Sequence, residues 1–290
     1  LYIPPVQNLL RREVTAYASK ATGMQIQVER IDLRFPLNLL VRGVEVIQQP
    51  DTLLSLESLN VRVQAWPLLK GKVEVDEVTL SQVAVNSANL IEGMQIKGVL
   101  GRFFLQSHGV DLSNETAVVN RTELSDTHIQ LLMTDTTTTP KDTTASAPVN
   151  WKVNLHQLKL KNVSFGMKLP ADSMKMAAYI GEATIDDAKA DLKNQFYGLK
   201  QFLLSGASAS YDTGEAQPSE GFDASHMAVR NIRIGLDSLL YEGRNMNAVI
   251  REITMEERSG LSITSLTGRL FSNDSIIRIP ELKLQTPHSE

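Results

Sequence analysis

Apolar and polar side chains alternate along most of this chain, and a period of two is the mark of a half-buried β-strand. Met24, Ile26 and Val28 alternate with Gln25, Gln27 and Glu29. Ile31, Leu33 and Phe35 follow, then Leu37, Leu39 and Val41 before Gly43, with Val44 and Val46 after it. Leu59, Val61, Val63 and Ala65 give a further run, and Lys70-Gly71-Lys72 is expected to turn the chain back into Val73 and Val75. The parity slips at Glu77, after which Val78 and Leu80 carry the apolar side, as a β-bulge would produce.

Only one stretch has a helical period. Val6, Leu9, Leu10, Val14, Tyr17 and Ala21 recur at steps of three and four, Pro4-Pro5 stands at the start and Gly23 where a C-terminal cap belongs. This predicts a short amphipathic helix over residues 1–23 that packs against the first strands.

Residues 134–149 interrupt the pattern. Seven of the eleven residues from Thr134 to Thr144 are threonine, and Pro140 and Pro148 frame a stretch without large apolar anchors. It predicts a linker or disordered loop. The expected organisation is a helix (1–23), a first β segment (24–133), the linker (134–149) and a second β segment (150–290). In the second segment short alternating runs, such as "VNLHQLKLKNVSFGM" and "AVRNIRIGLDSLLYEG", recur between polar turns. The rhythm is that of an antiparallel meander, and its repetition favours an extended sheet over a compact one.

Composition narrows the function classes. Of the 290 residues 42% are apolar but only 6% aromatic, so any core is aliphatic. A net charge of −4 gives no basic footprint for nucleic acid. The absence of cysteine removes disulfides and thiolate chemistry. The five histidines, His108, His128, His156, His226 and His288, are scattered without metal-ligand spacing. No nucleophile elbow, P-loop or dinucleotide fingerprint is present; Gly98 and Gly101 read as turn or bulge glycines. Asp186-Asp187 is an adjacent carboxylate pair, but neighbours on a strand point to opposite faces, so a turn is its expected place. No enzyme activity and no cofactor are expected.

The strand candidates "SKATGMQIQVERIDLRFPLNLLVRGVEV" (19–46) and "DTLLSLESLNVRVQAWPLLKGKVEVDEVTLSQVAV" (51–85) resemble the N-terminal region of the AsmA/TamB family of bacterial envelope proteins. The later runs "IKGVLGRFFLQSHGVDL" and "SGLSITSLTGRLFSNDSIIRIPELKLQT" are similar to its repeating units, more loosely. The resemblance implies a curled, U-shaped antiparallel sheet with an apolar groove, in the periplasm of a Gram-negative cell. It also implies an inner-membrane anchor upstream of residue 1, in keeping with a chain that opens on "LYIPP" without methionine. Family members are implicated in moving phospholipid to the outer membrane and in outer-membrane protein assembly.

The physics of that task suits the pattern. Drawing a phospholipid through water exposes on the order of 30 methylenes, roughly 25 kcal/mol at about 0.8 kcal/mol each, so a conduit must keep the chains covered. An aliphatic strand face supplies such a cover; a pair of closed sandwiches that fill their own interiors is the competing expectation. The residues expected to line the groove are Leu59, Val61, Val63, Val73 and Val75 in the first segment. Those in the second are Leu155, Leu158, Leu160, Ile232, Ile234 and Leu236. Expected partners are phospholipid acyl chains, the inner membrane and an outer-membrane barrel protein. A scaffold that pairs its strand edges with barrel segments is the alternative reading.

Overall fold

The computed structural model describes residues 8, 11–13, 15–16, 19–20, 22–35, 37–64, 66, 74–87, 90, 93–111, 114–133, 150–214 and 217–289. Its strands belong to one sheet. The first segment supplies β1 (Gln25–Arg34), β2 (Asn38–Gln48), β3 (Asp51–Val63), β4 (Val75–Asn86), β5 (Met94–Asp111) and β6 (Thr116–Met133). The second supplies β7 (Lys152–Leu169), β8 (Met174–Asp191), β9 (Phe196–Leu199), β10 (Gln201–Asp212) and β11 (His226–Glu242). It ends with β12 (Asn245–Glu257), β13 (Ser262–Ser272), β14 (Ile277–Arg278) and β15 (Lys283–Gln285).

Neighbours in sequence are neighbours in space, in the order β1 through β8, then β10 to β14. β9 and β10 fill consecutive stretches of one slot between β8 and β11, and β15 pairs with β13 beside β14. Each pairing is antiparallel except one. β6 and β7 run parallel, from Thr116↔Lys152 to Leu132↔Lys168. The sheet is therefore mixed, a correction to the purely antiparallel meander expected above. A parallel neighbour cannot be joined by a tight hairpin and needs a connection of about a dozen residues or more. The interval between Met133 and Lys152 is long enough for this, while the sequence pattern of a strand says nothing about its direction. The expected linker itself, 134–149, lies outside the described residues, but it does not divide the sheet.

The predicted bulge at Glu77 is present: Arg62 pairs with Glu77 while Val63 pairs with Val75, which leaves one extra residue on β4. The described residues between 8 and 22 are helical, and the Gly23 amide, at φ +70°, caps the carbonyl of Ser19 at 3.0 Å. Arg11 reaches the carbonyls of Val28 and Glu29, and the Ser19 hydroxyl accepts from the Ile26 amide, so these residues sit against β1. The predicted apolar stripe of that helix, from Val6 to Ala21, lies outside the described residues, as do Ala65 and the turn at 70–72. Asp186-Asp187, expected in a turn, is found inside β8.

A transverse line of unusual backbone crosses the sheet. Gly43, Gln82, Asp126, Asn162, Gly206 and Asn231 all have φ between +49° and +62°, the left-handed region. Registers place the first five in one row: Val28↔Val44 and Arg30↔Arg42 set Gly43 opposite Glu29, and corresponding pairs set Asp126 opposite Gly101 and Asn162. At Gly43 a Cβ would lie 2.7 Å from Cβ of Glu29, and at Gly101 a Cβ would lie 2.7 Å from Cβ of Asp126. Row side chains therefore aim along the sheet at one another, and Gly43 and Gly101 leave space for the side chains of Glu29 and Asp126. Asn162 Nδ2 donates to Asp126 Oδ1 at 2.8 Å across the parallel pair, and Asn and Asp are the non-glycine residues that most readily adopt this conformation.

Candidate functional site

The seam explains an otherwise odd feature of the sequence. On each side of it apolar residues alternate, but across it they step by three: Val28 to Ile31, Leu80 to Val83, Leu100 to Phe103, Leu160 to Val163. With one residue turned into the plane of the sheet, a step of three returns the side chain to the same face. Burial agrees. The polar row within the step, which includes Arg30, Arg42, Arg102, Lys161 and Glu182, is exposed at those five positions. The apolar rows to either side are buried or half-buried.

One apolar row runs across the whole sheet. It begins Ile31–Val41–Leu59–Leu80–Phe103–Leu124 in the first segment and continues through the parallel pair as Leu160–Ala183–Leu204–Ile234–Ile253–Leu266. A second row beside it holds Leu39, Val61, Val78 and Leu105, then Thr122, Leu158, Ile185, Phe202, Leu236 and Ile250. Six of the eleven expected lining residues fall into these rows. Leu59, Leu160 and Ile234 share the first; Val61, Leu158 and Leu236 share the second. Val63 and Val75 pair with each other past the bulge, Leu155 pairs with Val119 and Ala188, and Ile232 pairs with Ala207. Val73 lies outside the described residues. Sequence reasoning missed Phe103, Leu124 and Leu204, although the step of three in each strand was a signal that could have found them.

Nothing among the described residues covers this face as a second layer would. No large side chain there is fully buried, and the most buried apolar residues are Ile31, Leu53, Val119 and four alanines. Ile129 and Phe165, neighbours in a further apolar row, remain about 40% exposed. A closed sandwich interior would bury such residues almost completely.

Three carboxylates with lowered pKa are held by local bonds. Asp187, in the left-handed region at φ +50°, accepts from Lys200 Nζ at 2.7 Å and lies 3.1 Å from His156 Nδ1. The Lys200 and His156 hydrogen bonds hold its carboxyl below the usual carboxylate range. Asp223 accepts the backbone amides of Ser219 and Ser225 and contacts His226, and those amide bonds lower its pKa further still. Glu257, lowered by its bonds from Ser259, ties the turn after β12 to the start of β11 through the Ala228 amide. Each is explained by local bonding. Among the described residues no group of three or more His, Asp or Glu side chains could hold a metal ion. No helix among them is long and apolar enough to cross a membrane.

No protein-family model matches the chain, and no curated protein matches it. The functional reading therefore stands on the rows themselves.

A cavity of about 1140 Å³ lies at the end of the sheet formed by the later parts of β6 and β7 and the start of β8. Its lining contains the pairs Gln130↔Gly166 and Leu132↔Lys168, the next strand's Lys175 and Tyr179, and the β12–β13 turn.

Proposed function

We propose that this chain is a lipid-binding groove of the bacterial periplasm, anchored at the inner membrane, whose sheet curls to shield the acyl chains of phospholipids passing to the outer membrane. The observation that carries the reading is the apolar row from Ile31 to Leu266, continuous through the β6–β7 pair and without a second layer over it among the described residues. Such a row has no specific contact to offer a ligand. It offers length and aliphatic area, which is what a hydrocarbon tail requires, at about 25 cal/mol for each Å² removed from water. Along that row, from β1 to β13, a tail would meet only apolar side chains.

Lipid extraction of the purified protein tests this. Bound phospholipid is expected in the wild type and its loss is expected in Val61→Asp and Leu236→Asp, two changes in one row. Wild-type protein free of lipid, under conditions where it remains folded, removes the reading.

One observation favours a second reading, a scaffold for barrel proteins that acts through a strand edge. Among the described residues the far side of β13 is paired only with the two residues of β14 and the three of β15, and Ile277 is 73% exposed. An incompletely paired, apolar edge is a template for strand addition. Lipid-free protein that binds unfolded barrel segments, and loses them on Ile277→Lys, would favour it.

A further inference from the structure

We infer that the cavity at the end of β6, β7 and β8 is a binding site for a phosphate ester. The inference does not depend on the acyl-chain reading, because alternation sends the polar side chains of this cavity to the face opposite the apolar rows.

The charge of the site differs in sign from that of the molecule. Five cationic and three anionic side chains line it, in a chain whose net charge is −4. The anions are already engaged or outnumbered. Glu256 pairs with Arg230 at 3.0 Å and Glu257 is taken up by backbone amides, while Asp212, the register partner of Lys175, forms no ion pair with it and leaves the cations in excess. Lys97, Lys168, Lys175 and Arg258 have no ion-pair partner among the described residues.

Two of these cations are placed against their own interest. Lys168 of β7 and Lys175 of β8 are direct register partners, and like charges facing each other across an antiparallel pair destabilise it. A ligand anion between them turns that repulsion into two charge-assisted contacts. Hydrogen-bonding groups stand on the same side of the site. His128 Nδ1 lies 2.5 Å from Ser164 Oγ and its Nε2 lies 2.9 Å from Gln130 Nε2, which fixes the ring between two polar side chains. Tyr179 completes that row beside Ser164. Dispersed cations with hydroxyl and amide groups suit a phosphate, with its three or more acceptor oxygens, better than a carboxylate with two. The cavity's volume admits an organic ester as well as the bare anion. The ester is either free in solution or the headgroup of a lipid at a membrane surface.

Titration calorimetry with sn-glycerol 3-phosphate, and sedimentation with phosphatidylglycerol vesicles against phosphatidylcholine vesicles, tests the site and separates the two sources. Saturable binding in the first arm, or preferential binding of the anionic vesicles in the second, is expected. Either is expected to weaken by tenfold or more in the double variant K168Q/K175Q and to return in K168R/K175R. The Gln variant is expected to unfold no more easily than wild type when no ligand is present, because it relieves a repulsion. Val61→Asp, which tests the acyl reading, is expected to leave this binding unchanged. Absence of binding in both arms, or binding that the double Gln variant leaves intact, overturns the inference.

Discussion

Leu124 of β6 and Leu160 of β7 are register partners across the one parallel pairing of the sheet, and they join the apolar rows of the two halves into a single row. Ser125 and Lys161, the next pair along, face the other way and are polar. The apolar continuity of the face rests on this junction. Leu160→Asp is therefore expected to place an unpaired carboxylate at the junction, at a cost of about 2 kcal/mol or more. Lys161→Gln, one residue on, is expected to stay within about 0.5 kcal/mol of wild type. Urea unfolding of the two variants checks the difference; equal losses would contradict the assignment of faces.

The seam makes a separate prediction about backbone. Asn162, at φ +54°, occupies a conformation that β-branched residues avoid, and its side chain bonds Asp126. Asn162→Val is expected to lose about 1–3 kcal/mol, from the left-handed strain and the missing bond together. Asn162→Gly keeps the backbone and is expected to lose less than Asn162→Val. At Gly43 even alanine is expected to destabilise, because its Cβ meets Glu29. Denaturation midpoints of the three variants, ranked in this way, check the claim.

Much of this was legible in the chain. Alternation alone identified Leu59, Val61, Leu158, Leu160, Ile234 and Leu236 as one-faced residues, because side-chain period is a local property of a strand. Their grouping into two rows was not legible, since a period of two carries no information about which strand lies alongside or in which direction. The seam had a local signal, the step from Leu80 to Val83 or from Leu160 to Val163, together with Gly, Asn, Asp or Gln at the break. Lys168 and Lys175 gave no signal as a site: each looks like an ordinary solvated lysine until register sets them face to face.

Acid stability should depend on Asp223. Its carboxyl is lowered by the Ser219 and Ser225 amides, with a further contribution from His226. A folded pKa below the unfolded value means that the group's stabilisation is complete above the unfolded carboxylate value near pH 4. It is lost as pH falls through the depressed folded value. Asp223→Asn is expected to flatten the fall in stability below about pH 4. Thermal unfolding from pH 2 to pH 7 measures it; an unchanged acid slope would contradict the role.

The stretch around Asp187 gives a salt-dependent counterpart. Lys200 and His156 both engage Asp187, and all three side chains are at least 40% exposed. Exposed pairs of this kind contribute about 0–1 kcal/mol and are screened by salt. Lys200→Met is expected to cost no more than that in dilute buffer, and the loss is expected to shrink at 1 M salt. A loss that salt does not reduce would point to packing of the lysine stem instead.

The most direct test of an acyl-chain groove is photo-crosslinking in cells. A benzophenone side chain placed at Leu59, Leu160 or Ile234, three positions of one row in two halves of the chain, is predicted to yield phospholipid adducts at each. The same side chain at Lys161 is predicted to yield none. Adducts absent from the row, or equally abundant at Lys161, would contradict the account.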